Sequence, residues 1–388
     1  KSYAGKVKLI YIDPPYNTGN DFVYPDDYQD SIKNYLELTG QVEGGTKISS
    51  NTESSGRFHT DWLNMMYPRL KLARDLLAKD GALFVSIDFN EAERLKLVLD
   101  EIFGEENFQR AIVWRIGWLS GYKTTANNFI RNHDTILFYS KSREDLDFIK
   151  KYLENKDFKP LIKSEPKLAE KLASLGLSAA QQRDLLNFVN HENRPNRYPI
   201  EDTWNCNEYD DLNSIAIVSF SGEKISKMLG IEEEFKGQKS VKMLMRILES
   251  VTKDRDIVMD FFSGTNSTAH AAMQLNAKDG GARRFIMVQL PEPTAKDSAA
   301  AKAGYKTIAD IGKERLRRAA KKLKDENPTY TGDLGFRVFK LGSSNIRAWE
   351  PDRDNLDQTL LDSMEHIKPD RTESDVLYEL LLKLGLDL

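Results

Sequence analysis

An apolar run from Val7 to Ile12 that stops at Asp13-Pro14-Pro15 constrains this chain more than any other stretch. Leu9, Ile10, Tyr11 and Ile12 suit the pleated surface of a sheet. Pro14 and Pro15 lack the N–H that a ladder needs and fix φ, so the strand must end at the aspartate. Asp13 is thereby held at a strand tip on stiff backbone, with the Tyr16 ring three residues on and Asn17-Thr18-Gly19 completing a turn. Rigid backbone, an acceptor-only carboxylate and a π-face suit a flat, amine-bearing ligand. Sheets of α/β proteins take such ligands at the carboxyl ends of their strands.

The chain beyond repeats a strand–helix rhythm. Asp21 to Gly56 is polar and reads as a long, mobile loop. Trp62, Leu63, Met66, Leu70, Ala73 and Leu77 then recur at helical spacing, with Pro68 expected to kink or restart the helix. Lys79-Asp80-Gly81 is expected to close it before a buried strand over Ala82–Ile87 that ends at Asp88. Asn90 is the expected cap of the next helix, with Gly104 as its stop. Strands are expected at Ala111–Trp114 and Thr135–Tyr139. The rhythm predicts a doubly wound, mostly parallel α/β sheet. It fails from Lys141, where a charged, helical stretch leads into the irregular, basic run His191–Pro199, and it resumes at Ser240, the expected cap of an amphipathic helix.

A second informative stretch is Ile257–His270, in which a strand enters a small-residue loop and then a helix, with another strand over Arg284–Leu290. A helix N-terminus beside a close-approach glycine suits a polar cofactor. The tail holds a basic helix (Lys313, Arg315, Arg317, Arg318, Lys321, Lys322, Lys324), read as a solvated face. A strand-like run at Phe336–Leu341 and an apolar helix through Val376, Leu377, Leu380, Leu381 and Leu384 follow.

Composition narrows the function classes. With 388 residues, 40% apolar and 30% charged, two or three soluble domains are expected. The single cysteine, Cys206, excludes an intramolecular disulfide and points to a reducing, cytoplasmic setting. The five scattered histidines argue against a structural metal. No apolar run is long enough for a membrane span. A net charge of −4 leaves any nucleic-acid contact to local patches, among which Arg194 and Arg197 are the better candidates. Trp204 is expected in the core. No phosphate-binding G-x-x-x-x-G-K-[ST] loop occurs, so ATP-driven work belongs to a partner. The start at Lys1, close before the most distinctive motif, suggests a fragment or a trimmed N-terminus.

The chemistry that fits Asp13-Pro14-Pro15-Tyr16 is methyl transfer to an exocyclic amine. Such a nitrogen is a poor nucleophile because its lone pair is delocalised into the ring. Acceptors on both N–H groups, the Asp13 carboxylate and the Pro14 carbonyl, return density to it and stabilise the developing positive charge. Tyr16 would stack on a base that has been flipped out of its duplex.

This motif resembles that of the amino-methylating DNA methyltransferases, where an aspartate at its head implies adenine as the target. The catalytic motif precedes the cofactor loop, the order of the family's β class. Ile10–Gly19, Ser86–Asp88, Asp100–Gly104, Phe261–Met273, Arg284–Pro293 and Gly335–Leu341, with Ser344, Asn345 and Trp349, are similar to the Mod subunits of type III restriction–modification systems. The resemblance implies a Rossmann-like methyltransferase sheet with an inserted target-recognition region. Residues 1–140 would be the catalytic half, 141–236 the recognition region, 237–342 the cofactor-binding half and 343–388 a C-terminal helical region.

By the same resemblance, Asp13, Pro14, Pro15 and Tyr16 are the catalytic residues, and S-adenosylmethionine would be held by Asp13, Asn17, Lys239, Ser240, Asp260, Phe261, Phe262, Ser263, Gly264, Thr265 and Gln289. Asn266 stands where the family loop has a second glycine, and asparagine tolerates left-handed backbone. His270 is expected to pack beside the loop rather than act as a base, and Asp88 either lines the cofactor pocket or caps the next helix. Implied partners are double-stranded DNA, a second copy of the chain and a restriction subunit, in a bacterial cytoplasm. Two alternatives stay open, a DNA-recognition subunit with weak or no methylation and a cytosine-N4 methyltransferase.

Overall fold

The computed structural model describes residues 2–18, 58–115, 127, 129, 131–204, 225–230, 239–295, 297–347, 355 and 367–388. The loop expected over Asp21–Gly56, Cys206 and Trp349 lie outside them. In chain order the strands are β1 (Val7–Ile12), β2 (Leu77–Ile87), β3 (Phe108–Arg115), β4 (His133–Ser140), β5 (Tyr152–Glu154), β6 (Arg197–Pro199), β7 (Thr203–Trp204), β8 (Ile257–Asp260) and β9 (Arg284–Met287). The helices are α1 (Phe58–Leu76), α2 (Ala92–Phe103), α3 (Pro166–Ser174), α4 (Ala179–Asn187), α5 (Ile225–Leu229), α6 (Val241–Val251), α7 (Ser267–Asp279), α8 (Ala299–Lys302), α9 (Ile308–Glu326) and α10 (Glu373–Leu384).

Every residue of β1 is buried, so it must have neighbours on both edges and cover on both faces. It pairs in parallel with β2 on one side and with β8 on the other, and β8 pairs in parallel with β9. The seven-stranded sheet runs β7-β3-β4-β2-β1-β8-β9, an α/β fold with a mostly parallel sheet. β4 departs from the expected parallel rhythm. The β2–α2–β3 crossover sets β3 parallel to β2 but one strand away, and β4 fills the gap running antiparallel to both. β5 and β6 form a separate two-stranded ribbon beside α3 and α4, within the region where the rhythm fails.

Side-chain alternation divides the core into two layers. Leu9, Tyr11, Phe84, Phe138 and Val258 face α6 and α7, with Phe84 stacked on Phe138 at 4.2 Å. Ile10, Ile12, Leu83 and Val85 face α1 and α2, against Trp62, Met66, Leu70, Leu95 and Leu99. Small residues Ala271 and Ala272 let α7 approach the sheet closely. Trp204 is buried at the β7 edge, as expected.

Local differences from the sequence reading have physical causes. α1 runs unbroken through Pro68, which removes one helical hydrogen bond, and the Arg69 guanidinium turns back to donate to the Met65 carbonyl at 2.7 Å. β2 starts at Leu77 rather than Ala82, because Val7 pairs with Leu77 while Leu9 pairs with Ala82 and the residues between bulge outward. Lys8, buried at this bulge, donates to the Asp80 carbonyl at 2.9 Å and to its carboxylate at 2.5 Å. The N-cap of α2 is Glu91, not Asn90, whose backbone and side chain donate instead to Asp88. Phe336–Leu341 is not a strand; Phe336 packs beside α7 and α9, and Phe339 meets Tyr378 of α10 edge-on at 4.9 Å. No helix among the described residues is long and apolar enough to cross a membrane.

Gly81 closes the bulge, and a Cβ there would stand 2.9 Å from the Val7 carbonyl and 3.0 Å from that of Ala78. Backbone on both sides cannot give way cheaply. Gly81→Ala should therefore destabilise the fold by about 1–3 kcal/mol in urea unfolding; a change within about 0.5 kcal/mol, the usual scatter of surface substitutions, would contradict this packing.

Candidate functional site

The tips of β1 and β8 lie side by side because Ile10 pairs with Met259 across a parallel ladder. One residue past β1 is Asp13, and the last residue of β8 is Asp260, so both carboxylates arrive at the same end of the sheet. This is the crevice at which the chain's two halves diverge, toward β2 and toward β9, and open α/β sheets bind ligands at such a switch point.

The first wall is the motif itself. Pro14 is buried and Pro15 half-buried, and the indole Nε1 of Trp62 donates to the Pro15 carbonyl at 2.7 Å. Asn17 adopts φ +58°, left-handed backbone that asparagine tolerates, and its Nδ2 donates to the fully buried Glu91 at 2.6 Å. His59 Nδ1 meets the same Glu91 oxygen at 2.5 Å. The turn is thus pinned from α1 and from the start of α2, two elements the motif does not belong to.

Lys239 lies 3.1 Å from Asp13 Oδ1, donates to the Tyr16 hydroxyl, and sits 4.8 Å from the centre of that ring. The contact with Asp13 is one of charge rather than an aligned hydrogen bond, for Asp13 Oδ1 is buried without a hydrogen-bond partner among the described residues. Burial raises the Asp13 carboxyl above its ordinary range, and the Lys239 charge opposes that shift. Burial and the nearby Asp13 likewise push the Tyr16 phenol well up, so it stays a neutral donor. Ser240, expected to touch a cofactor, spends its side chain capping α6 by accepting from Met243 N at 3.2 Å.

The second wall is the loop after β8. Asp260 accepts from Phe262 N at 3.0 Å and from the Thr268 hydroxyl at 2.6 Å, closing the loop on itself. Burial raises its carboxyl to about 7, against the pull of those two bonds. Ser263 donates from both backbone and hydroxyl to the Val288 carbonyl, and Gln289 Oε1 accepts from Gly264 N at 2.6 Å. Gln289 therefore braces the loop through its carbonyl end. Gly264 and Asn266 both take left-handed backbone, φ +48° and +60°, so Asn266 supplies the conformation that a glycine would supply in its place. Phe262 buries its ring among the α1–α2 layer while Phe261, 5.4 Å away, stays half-buried.

One feature of this wall was not legible in the sequence. Arg315 is completely buried beneath the loop, although the basic run 313–324 reads as a solvated face. Its Nη1 donates to Ser267 Oγ at 2.7 Å and Thr265 Oγ1 at 3.2 Å, and its Nε to His270 Nδ1 at 3.2 Å. His270 is buried and its pKa is lowered to about 3, first by burial and then by the Arg315 charge, which keeps it neutral and packed beside the loop as expected. The available signal was spacing, since Ile311, Arg315 and Ala319 share one buried stripe while Arg317 and Arg318 pair with Glu314 on the exposed side.

The remaining candidates lie elsewhere. Arg194 donates to the Lys159 and Asn190 carbonyls and covers the Phe158 ring at 4.8 Å, tying its own loop together. Arg197 is exposed on β6 and lies 4.5 Å over Tyr152 of β5. Asp88 accepts from Asn90 in a turn ahead of α2, and Arg131 lies 3.9 Å from it.

Comparison with known proteins places these walls in context. A family model described as DNA methylase matches residues 7–325. The chain is 31% identical to the type III restriction–modification enzyme StyLTI Mod subunit of Salmonella typhimurium, over 92% of this chain and 60% of that protein. It is 31% identical to the EcoP15I Mod subunit of Escherichia coli, over 88% and 62%. The type II methyltransferase M.KpnI of Klebsiella pneumoniae is 25% identical over 81% of this chain and 83% of its own length. The chain thus spans about three-fifths of the length of the Mod subunits it matches.

Because Asp260 holds its proton to about pH 7 in the fold and an unfolded aspartate releases it at about 3.9, the native state binds more protons between those values. Stability from this group is complete below pH 4 and is lost as pH rises toward 7. Asp260→Asn can still accept from Phe262 N through Oδ1, can donate from Nδ2 to a rotated Thr268 hydroxyl, and should remove that slope. Wild-type stability should fall relative to the variant by on the order of 3 kcal/mol between pH 4 and 8. Parallel stability profiles for the two proteins in chemical denaturation would contradict the burial of this charge.

Proposed function

The chain belongs to the DNA methylase family, and on that premise we propose that it methylates adenine N6 in double-stranded DNA, with S-adenosylmethionine as donor, as the modification subunit of a type III restriction–modification system. The observation that carries this reading is Asp13 at the tip of β1, one strand away from the loop after β8, whose buried Oδ1 has the Lys239 charge beside it but no hydrogen bond among the described residues.

The residues of that loop suit the donor. The backbone amides that open α7 have no side-chain cap, Asn266 Oδ1 is buried without a hydrogen-bond partner among the described residues, and the half-buried Asp13 carboxylate stands at the neighbouring strand tip. Unfilled donors for a carboxylate, and acceptors with negative charge for cationic groups, match a zwitterionic sulfonium. Asp13, Lys239, Asp260, Phe261, Phe262, Ser263, Gly264 and Thr265 would surround it, with Asn17, Ser240 and Gln289 shaping the wall from behind. When bound, this donor supplies an electrophilic methyl group whose loss turns a sulfonium into a neutral thioether.

The acceptor side follows from Asp13, Pro14, Pro15 and Tyr16. Asp13 and the Pro14 carbonyl accept from the two hydrogens of an exocyclic amine, and the ring of Tyr16 offers a stacking face. Lys239 sets its charge 3.1 Å from Asp13 Oδ1, which opposes the rise that burial imposes on that carboxyl and so favours its acceptor form toward an incoming amine. The positive charge that develops on nitrogen is then stabilised by that carboxylate. Residues 1–140 and 237–342 form the two halves of this catalytic unit. Residues 141–236 would read DNA, Arg197 touching phosphate, and 343–388 would be the C-terminal helical part. A second copy of the chain and a restriction subunit are the proposed partners, in the bacterial cytoplasm.

Incubating the protein with DNA and labelled S-adenosylmethionine, then digesting to nucleosides, should place the label in N6-methyladenine. Label in N4-methylcytosine would select cytosine as the target, and DNA binding without label would select a recognition subunit. Asp13→Ala should lower turnover by at least about 10³-fold, as loss of a transition-state stabiliser does, while S-adenosylmethionine binding stays measurable by calorimetry; near wild-type turnover would refute the role given to Asp13.

A further inference from the structure

The loop that would receive the methyl donor is not self-supporting. It packs two left-handed residues, Gly264 and Asn266, into the turn between β8 and α7, and such backbone persists only when its surroundings hold it. α9 supplies that support from below. Gly312 is the point of closest approach: a Cβ there would lie 2.7 Å from Asn266 Nδ2, 3.1 Å from Asn266 Cγ and 3.3 Å from the Gly264 carbonyl. One turn further along, Arg315 is wholly buried and extends its guanidinium under the same loop. It reaches Thr265 at the loop's crest, Ser267 at the first turn of α7 and His270 one turn later.

We propose that Arg315 is a positioning residue for S-adenosylmethionine, its guanidinium and the bare face at Gly312 presetting loop 263–267 in the conformation that binds the donor. This rests on the functional reading given above, since it presumes that the loop receives that donor. The planar fork of arginine fits the task because it donates in several fixed directions at once. A lysine can satisfy one hydroxyl but cannot also reach His270. His270, neutral and accepting at Nδ1, anchors the other edge of the guanidinium. A loop ordered in advance binds its ligand without the cost of ordering on arrival, so the arginine acts on affinity without touching the ligand.

The test is calorimetric titration of S-adenosylmethionine into the full chain and three variants, alongside their melting temperatures. Arg315→Met should raise Kd at least tenfold, with Arg315→Lys between it and the wild type. Gly312→Ala places a helix-favouring residue in α9 and disturbs only the loop above it. It should raise Kd at least threefold without lowering the melting temperature. If Arg315→Met does not fold, Arg315→Lys and Gly312→Ala decide by the same measure. Variants that bind within twofold of the wild type, whatever their melting temperatures, would show a merely structural arginine and overturn the proposal. A wild-type chain that binds no S-adenosylmethionine would overturn the functional reading and this inference with it.

Discussion

The parallel pairing of β1 with β8 is the contact on which the rest depends. The two strands are separated by more than two hundred residues of sequence, yet the ladder at Ile10 and Met259 sets their tips next to each other. An aspartate stands just past β1 and another ends β8, and each begins a wall of the crevice. Had β8 joined the opposite edge of the sheet, Asp13 and the loop from Phe261 to Asn266 would face different solvent. Burial on both faces of β1 enforces the arrangement. Leu9 and Tyr11 need α6 and α7, Ile10 and Ile12 need α1 and α2, and a slip of one residue would exchange the two sets.

Electrostatics in the crevice follows from the same geometry. Burial raises the carboxyls of both Asp13 and Asp260, and the Asp13 charge raises that of Asp260 further. They are stabilised differently. Asp260 is enclosed by its own loop through Phe262 N and Thr268, so it works as a structural acceptor. Asp13 has the Lys239 charge beside its Oδ1, and that oxygen makes no hydrogen bond among the described residues, which under the proposed function leaves it to accept from a ligand. Under the proposed function, Asp13 binds the amine while Asp260 holds the loop. The charge of Lys239 comes from just ahead of α6, which ties the state of the first motif to the second half of the chain.

Much of this was legible in the sequence because it is local. The Pro-Pro stop fixed the end of β1, Ser240 capped its helix, and the strand–loop–helix at 257–279 formed as its residue types require. Asn266 took the left-handed backbone that its chemistry permits. What was not legible depends on partners distant in sequence. The direction of β4 follows from the strand-wide gap left by a crossover elsewhere. The bulge ahead of Gly81 arises from pairing with Val7, and it moved the start of β2 by five residues from the expected Ala82 to Leu77. Phe336–Leu341 has strand-like composition but finds no strand to pair with among the described residues, and its rings pack singly instead. Arg315 was hidden among exposed cations because charge in a sequence does not reveal which face of a helix turns inward.

In the proposed function the tips of β1 and β8 form one site, with a methyl donor on the β8 side and an amine on the β1 side. A crystal structure of the chain bound to S-adenosylhomocysteine tests it most directly. The ligand's sulfur should lie in the crevice between Asp13 and the loop 263–266, with Asn266 and the first amides of α7 against its polar groups. Ligand density at any other edge of the sheet, leaving that crevice empty, would contradict it.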